Sequence, residues 1–237
     1  MLPINTNNYI IMKKILSILV CGALLVGCGM SKTGSGAIIG TSAGAAIGAG
    51  LGYLLGGDGS AIAIGAAVGG VVGAGTGVAI GKKMDEKAAE LAELENAQVE
   101  TVTDVNGLKA IKVTFDSGIL FDFNKSTLKQ AAKNQLDKFA AEMADMPETN
   151  FAIYGHTDNV GSAQANQKVS NQRAESVETY LRTKGIAKER MTAEGLSFNF
   201  PVAENDTEAG RAQNRRVEIF ITANEEMVKE AEAGTLQ

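Results

Sequence analysis

The chain has 237 residues, 45% of them hydrophobic and 21% charged, with 28 glycines, one histidine, two cysteines and a formal net charge of -5. That acidity argues against broad attraction to a phosphate backbone, which needs clustered lysine and arginine, so nucleic acid is not an expected partner. One histidine and two cysteines leave a zinc site short of its usual ligands, and no metal or cofactor is expected.

Residues 12 to 28, MKKILSILVCGALLVGC, have the three parts of an export signal: Lys13 and Lys14, an apolar run from Ile15 to Val26, and small residues before a cysteine. The run is short for a bilayer span. Its ending, Leu25-Val26-Gly27-Cys28, resembles the lipobox of bacterial lipoproteins, which implies a signal over 1–27, cleavage before Cys28 and acylation of that cysteine. The eleven residues before Met12 read as an over-extended start. The alternative, Cys28 as an ordinary small residue closing a membrane helix, stays open.

After a short lipidated stretch at 28–35, glycine recurs at 36, 40, 44, 48, 52 and 56, and again, beyond the polar turn GDGS, at 65, 69, 73, 77 and 81. A spacing of four aligns each ladder on one helical face, where two backbones approach closely. The expected product over 36–81 is a helical hairpin. Glycine costs about 1 kcal/mol against alanine in a helix interior, so six in one segment need an offset that lipid or close packing supplies. A helix over 36–56 extends about 31 Å, near the hydrocarbon thickness of about 30 Å. The pattern resembles the glycine-zipper segments of bacterial envelope lipoproteins. Insertion into the membrane, packing outside it and a flexible linker all stay open, as does homo-oligomerisation through the ladders.

KKMDEKAAELAELENAQVE, rich in Ala, Glu, Leu and Lys, reads as an exposed helical spacer over 82–105, able to hold the next domain about 30 Å from the anchor. From residue 106 to 223 the composition is that of a globular domain large enough to bury its own core, with an acidic tail after it at 224–237. LKAIKVTF and ILFDF read as strands around a DSG turn, and Leu128, Ala132, Leu136, Phe139 and Met143 share a helix face that starts near a cap at Ser126. FAIYGHT is a short strand entering a loop at Asp158. A second helix runs from about Ala163 to Lys184 with Gly185 as its stop. A strand near Arg190 to Leu196, a polar loop, and RRVEIFIT with alternating Val217, Ile219 and Ile221 complete an α+β unit of βαβαβ type.

On a helical wheel, Asn166, Val169, Ser170, Arg173, Ala174, Val177, Tyr180 and Leu181 fall within one arc of roughly 140°. Arg173 therefore lies in the apolar stripe. A guanidinium withdrawn from water needs an acid, carbonyl groups or an anionic ligand, and Asp158 is the nearest acid in sequence. Two readings are open: a structural Asp158–Arg173 salt bridge, or a cleft in which both groups hold an α-amino-carboxylate, its ammonium on the acid and its carboxylate on the arginine fork.

The same residues carry a resemblance. Asn166-x2-Val169-Ser170-x2-Arg173-Ala174-x2-Val177-x3-Leu181 resembles the peptidoglycan-association signature of OmpA-like domains, with Val169 in place of the usual leucine; FDFNKS, YGHTD and EAGRAQNRRVEI flank it in order. The resemblance covers residues 108 to 222. It implies an outer-membrane lipoprotein whose periplasmic domain binds peptidoglycan stem peptides through diaminopimelate. Asp158 would take the ammonium and Arg173 the carboxylate, with Thr157 and Asn166 nearby and Phe123 and Asn124 along the groove. Asn214 and Arg215 read as structural or rim residues.

His156, Asp158 and Ser170 make a poor hydrolytic trio: the first two lie on or near one strand, and Ser170 sits on a helix without a GxSxG elbow. A noncatalytic tether is expected. The alternative is a structural glycine-zipper protein that oligomerises at the membrane and whose C-terminal domain only localises it to the wall.

Overall fold

The computed structural model describes residues 73–236, apart from Val105 and Phe123. The expected signal at 1–27, the lipidated segment with Cys28 and the ladders up to residue 72 lie outside the described residues. The elements among the described residues are α1 (Ala74–Leu91), β1 (Ala97–Thr103), β2 (Lys109–Asp116), α2 (Ser117–Leu120), α3 (Gln130–Glu142), β3 (Thr149–His156), α4 (Ala163–Thr183), β4 (Met191–Ser197), α5 (Glu208–Asn214), β5 (Arg216–Ala223) and α6 (Glu225–Ala233). The strands form one sheet in the order β1-β2-β5-β3-β4. β3 and β4 are parallel, and the other pairs are antiparallel. The α+β class therefore holds, with a mixed sheet.

Alternation along the strands builds two layers. Ile111, Val113 and Phe115 of β2, Phe151 and Ile153 of β3, and Val217, Ile219 and Ile221 of β5 enter the main core with Leu136 and Phe139 of α3 and Val177 and Leu181 of α4. Phe139 packs edge-on against both Phe115 and Phe151. The opposite face carries a smaller cluster of Tyr154, Leu196, Phe200 and Phe220. β5, the central strand, is buried along its whole length, so even Arg216 and Glu218 on its second face are withdrawn from water.

Three expectations are corrected. The segment 82–105 is not an exposed helical spacer: α1 ends at Leu91, and Ala97–Thr103 pairs with β2 as an edge strand. Ile80, Met84 and Leu91 are fully buried, a stripe that the charge-rich composition hides. Lys83 pairs with Glu148 at 2.5 Å, and Lys87 bonds Glu90 and, at 3.0 Å, Asp145. The acidic tail is likewise a packed element, α6, capped by the Asn224 side chain and burying Met227 and Val228. Finally, ILFDF is not a strand. The Asp116 carboxylate accepts from the Gly118 N–H at 2.6 Å and opens the short α2, leaving Phe121 one isolated bridge to Leu128; α3 then begins at Gln130 rather than near Ser126.

α4 matches its expected span, with the Ser162 hydroxyl accepting from the Ala165 N–H and Gly185 beyond its end at φ 95°. Gly155 and Gly195 let it lie unusually close to the sheet: a Cβ at Gly155 would sit 2.2 Å from the Ser170 carbonyl oxygen, and one at Gly195 2.2 Å from the Asn171 nitrogen. The edge strand β4 is sewn to α4 by polar bonds. The Asn171 side chain accepts from the Gly195 N–H at 2.7 Å, Gln167 donates to the Gly195 carbonyl at 2.5 Å, and the Ser170 hydroxyl accepts from the Ser197 N–H at 3.1 Å. Among the described residues no helix is long and apolar enough to cross a membrane.

Candidate functional site

The loop from β3 to α4 places two of the expected residues. Thr157 donates its N–H to the Ser197 carbonyl at 2.9 Å, extending the sheet by one bond. Asp158 then turns the chain by accepting from the Val160 N–H at 3.0 Å, and the Asn166 side chain, from the first turn of α4, closes the loop by donating to the Val160 carbonyl at 3.0 Å. Asn166, Ser170 and Arg173 are spaced i, i+4, i+7, so the loop and Arg173 lie on one side of α4.

These groups meet at a cleft of about 250 Å³ lined by Asn124, Thr157, Asp158, Asn166 and Arg173, with Arg211 and Arg215 opposite. Five of the six residues expected in the groove are thus brought together. Phe123 lies outside the described residues. Asn124 adopts a left-handed backbone, φ 54°, at the cleft wall. The Thr157 hydroxyl is buried and makes no hydrogen bond among the described residues.

Arg173 is 6% exposed. Its Nε donates to the Lys125 carbonyl at 3.1 Å and its guanidinium lies 5.2 Å from the centre of the Phe121 ring. Among the described residues no carboxylate pairs with it. Burial pulls its pKa below the usual arginine value and the neighbouring Arg215 adds to that, while Asp158 opposes it. Of the two open readings, the structural Asp158–Arg173 salt bridge is not formed: Asp158 pairs instead with Arg215, Nη1 to Oδ2 at 2.7 Å. Arg215 also donates to Glu208 at 2.6 Å, and Glu208 accepts from Arg211 at 3.0 Å. Burial lowers the Arg215 pKa, but its bonds to Asp158 and Glu208 outweigh that and hold it above the ordinary value.

Arg215 is therefore more than a rim residue, whereas Asn214 is structural, accepting from the Val202 and Ala203 N–H groups. Sequence reasoning missed Phe121 as the ring beside Arg173, and at the cleft itself Glu208 and Arg211. The spacing of Arg211 and Arg215, four apart, was the available signal for the last of these, since it sets both on one face of a helical turn.

His156, Asp158 and Ser170 have separate partners. Ser170 donates to the Gln167 carbonyl, Asp158 holds Arg215, and the His156 Nε2 lies 3.2 Å from Glu218 on the sheet's second face. Glu218 also accepts from Arg216 at 2.8 Å. Burial alone would raise the Glu218 pKa, but His156 and Arg216 outweigh it and bring it to about 2; burial lowers the His156 pKa below its ordinary 6.5. Both shifts have one sign for stability. A neutral buried histidine stabilises above pH 6.5, and a depressed carboxylate stabilises above its unfolded pKa of 4.5 and loses that contribution as pH falls toward about 2. Denaturant titrations should therefore show stability falling on acidification below pH 6.5, with Glu218→Gln removing much of the part of that fall that lies below pH 4.5.

Known proteins share this arrangement of sequence and fold. A model described as the OmpA family matches residues 120–215, and one described as YMGG-like Gly-zipper matches residues 12–85. The probable lipoprotein YiaD of Escherichia coli (strain K12) is 35% identical over 184 residues, which cover 75% of this chain and 83% of that protein. The chain belongs to the OmpA family. Outer membrane porin F of Pseudomonas fluorescens is 43% identical over 115 residues, 48% of this chain and 35% of the porin, so this OmpA-family chain matches about a third of that relative's length. The solved structure of the cell wall anchor of the T6SS from Pseudomonas aeruginosa matches with a TM-score of 0.50 and 29% identity, over 60% of this chain and 97% of that one. The expected outer-membrane address, with the OmpA-like domain in the periplasm, stands for this OmpA-family protein.

Proposed function

We propose that the protein is a noncatalytic tether that joins the outer membrane to peptidoglycan by binding diaminopimelate-containing stem peptides. Asp158 takes the ammonium of the diaminopimelate side chain and Arg173 its carboxylate, while the Thr157 hydroxyl, Asn166 and Asn124 fix the ligand's orientation. Acylated Cys28 and the glycine hairpin supply the membrane end. The supporting observation is Arg173: a buried guanidinium with one carbonyl, one aromatic ring and no acid among the described residues, lining a cleft with a carboxylate and an orphan hydroxyl. A buried cation left in that condition carries an uncompensated desolvation cost, which a ligand carboxylate removes.

Asp158 already holds Arg215, so ligand entry exchanges one cation partner for two. The ligand's ammonium shares the Asp158 carboxylate, whose two oxygens have lone pairs beyond the bonds to Arg215 and Val160. The test is selective competition. Full-length protein in detergent should sediment with diaminopimelate-type peptidoglycan, and a stem peptide ending in diaminopimelate should release it where the same peptide ending in lysine, whose side chain carries an ammonium but no carboxylate, does not. Equal release by both peptides would remove the role given to Arg173.

A further inference from the structure

The lining of the cleft holds three arginines, Arg173, Arg211 and Arg215, against two carboxylates, Asp158 and Glu208. The side-chain end of diaminopimelate, one ammonium and one carboxylate, engages Asp158 and Arg173 and leaves the Arg211–Arg215 pair unused. In the described structure that pair grips Glu208. Its Oε2 accepts from the Arg211 Nε and Nη2 at 3.1 and 3.0 Å, and its Oε1 accepts from the Arg215 Nη2 at 2.6 Å.

The two sides of this contact are held unequally. Arg211 is fixed from behind by the Asn205 carbonyl at 2.8 Å and Arg215 by Asp158 at 2.7 Å, so both guanidinium groups keep their places without Glu208. The Glu208 side chain is 69% exposed, and the arginines are its only hydrogen-bonding partners among the described residues. An exposed ion pair of this kind contributes little to stability, so exchanging one carboxylate for another at the fork costs little.

We infer that Arg211 and Arg215 form a second carboxylate subsite, that Glu208 is an exchangeable counter-ion standing in it, and that the ligand group it accepts is the α-carboxylate of the γ-linked glutamate next to diaminopimelate in the stem. This rests on the diaminopimelate reading of the cleft. The consequence is specificity within stems: a glutamate with a free α-carboxylate fills the subsite, and its α-amide does not. An amide brings no charge to replace that of Glu208, so the fork keeps its internal partner.

The probes are the tripeptide L-Ala-γ-D-Glu-meso-diaminopimelate and the same peptide amidated at the glutamate α-carboxyl, each titrated calorimetrically into the full-length protein in detergent. The acid form should bind roughly tenfold tighter than the amide. Arg211→Gln should bring that ratio close to one. Glu208→Gln, which removes the internal competitor, should widen it, whereas a merely structural role for Glu208 would narrow it or leave it as it was. Equal binding of the two peptides by the wild-type protein, or a ratio that fails to widen in Glu208→Gln, overturns the second subsite while leaving the diaminopimelate contact standing. Failure of both peptides to bind overturns the cleft reading and this inference together.

Discussion

Arg173→Met is expected to lower affinity for a diaminopimelate-bearing stem by roughly a hundredfold, the loss of a charge-assisted fork to a carboxylate in a desolvated site. Methionine keeps an apolar stem against Phe121, so lost packing contributes little to the change. No ion pair is broken among the described residues, because Asp158 pairs with Arg215 and Glu208 with Arg211 and Arg215. The denaturation midpoint should therefore stay near that of the wild type, and calorimetric titration of a stem peptide reads the site rather than the fold. Arg173→Lys should recover only a small part of the affinity. An ammonium cannot hold the Lys125 carbonyl and a ligand carboxylate in the geometry of a planar fork, nor stack on Phe121 in the same way. Undiminished binding by a folded Arg173→Met protein would dismiss the arginine from the site. Asp158→Asn is a less clean probe, since it also weakens the hold on Arg215.

Gly155→Ala should cost a large share of the domain's stability, above about 3 kcal/mol, beyond ordinary overpacking because the obstacle is backbone. The added carbon would lie 2.2 Å from the Ser170 carbonyl oxygen and 3.0 Å from its carbon. Neither atom can move without moving α4. Gly195→Ala meets the same helix one strand away, 2.2 Å from the Asn171 nitrogen, and also disturbs the Asn171 bond to the edge strand. Gly75→Ala, which meets nothing within 4 Å on the first turn of α1, is the control and should be neutral or mildly stabilising in denaturant titrations. The glycine pair also bears on binding. α4 carries Asn166 and Arg173, so a displaced helix moves the guanidinium relative to Asp158, and any residual folded population should bind stems weakly. A Gly155→Ala protein with wild-type stability would show that α4 is free to slide on the sheet.

What was legible in the sequence was what depends on local periodicity. The apolar arc of α4 with an arginine inside it, the stop at Gly185 and the alternation of β5 are readable because period and burial coincide there. β1 was not: an Ala-, Gln- and Glu-containing stretch reads as helix, and only its pairing with β2 makes it a strand. ILFDF failed for the opposite reason, since a local Asp116 cap overrides a strong strand composition. The cleft divided along the same line. Asp158, Thr157, Asn166 and Arg173 lie close together in the chain and could be set side by side from one loop and one helix. The partner of Asp158 could not, because Arg215 is 57 positions away and arrives through α5, an element hidden in what reads as a polar loop. Asp158 was the nearest candidate partner for Arg173 in sequence; the fold gave that acid to another arginine.

The docking of α1 changes how a pull is carried. An exposed spacer over 82–105 would straighten under tension before its load reached the folded part. Here the helix that begins after Gly73 is seated among core side chains through Ile80, Met84 and Leu91 and pinned by Lys83 and Lys87, so force arriving at its first turn meets shear resistance at once. Within the described residues that coupling is stiff, so the stretch from α1 to β1 adds no slack of its own.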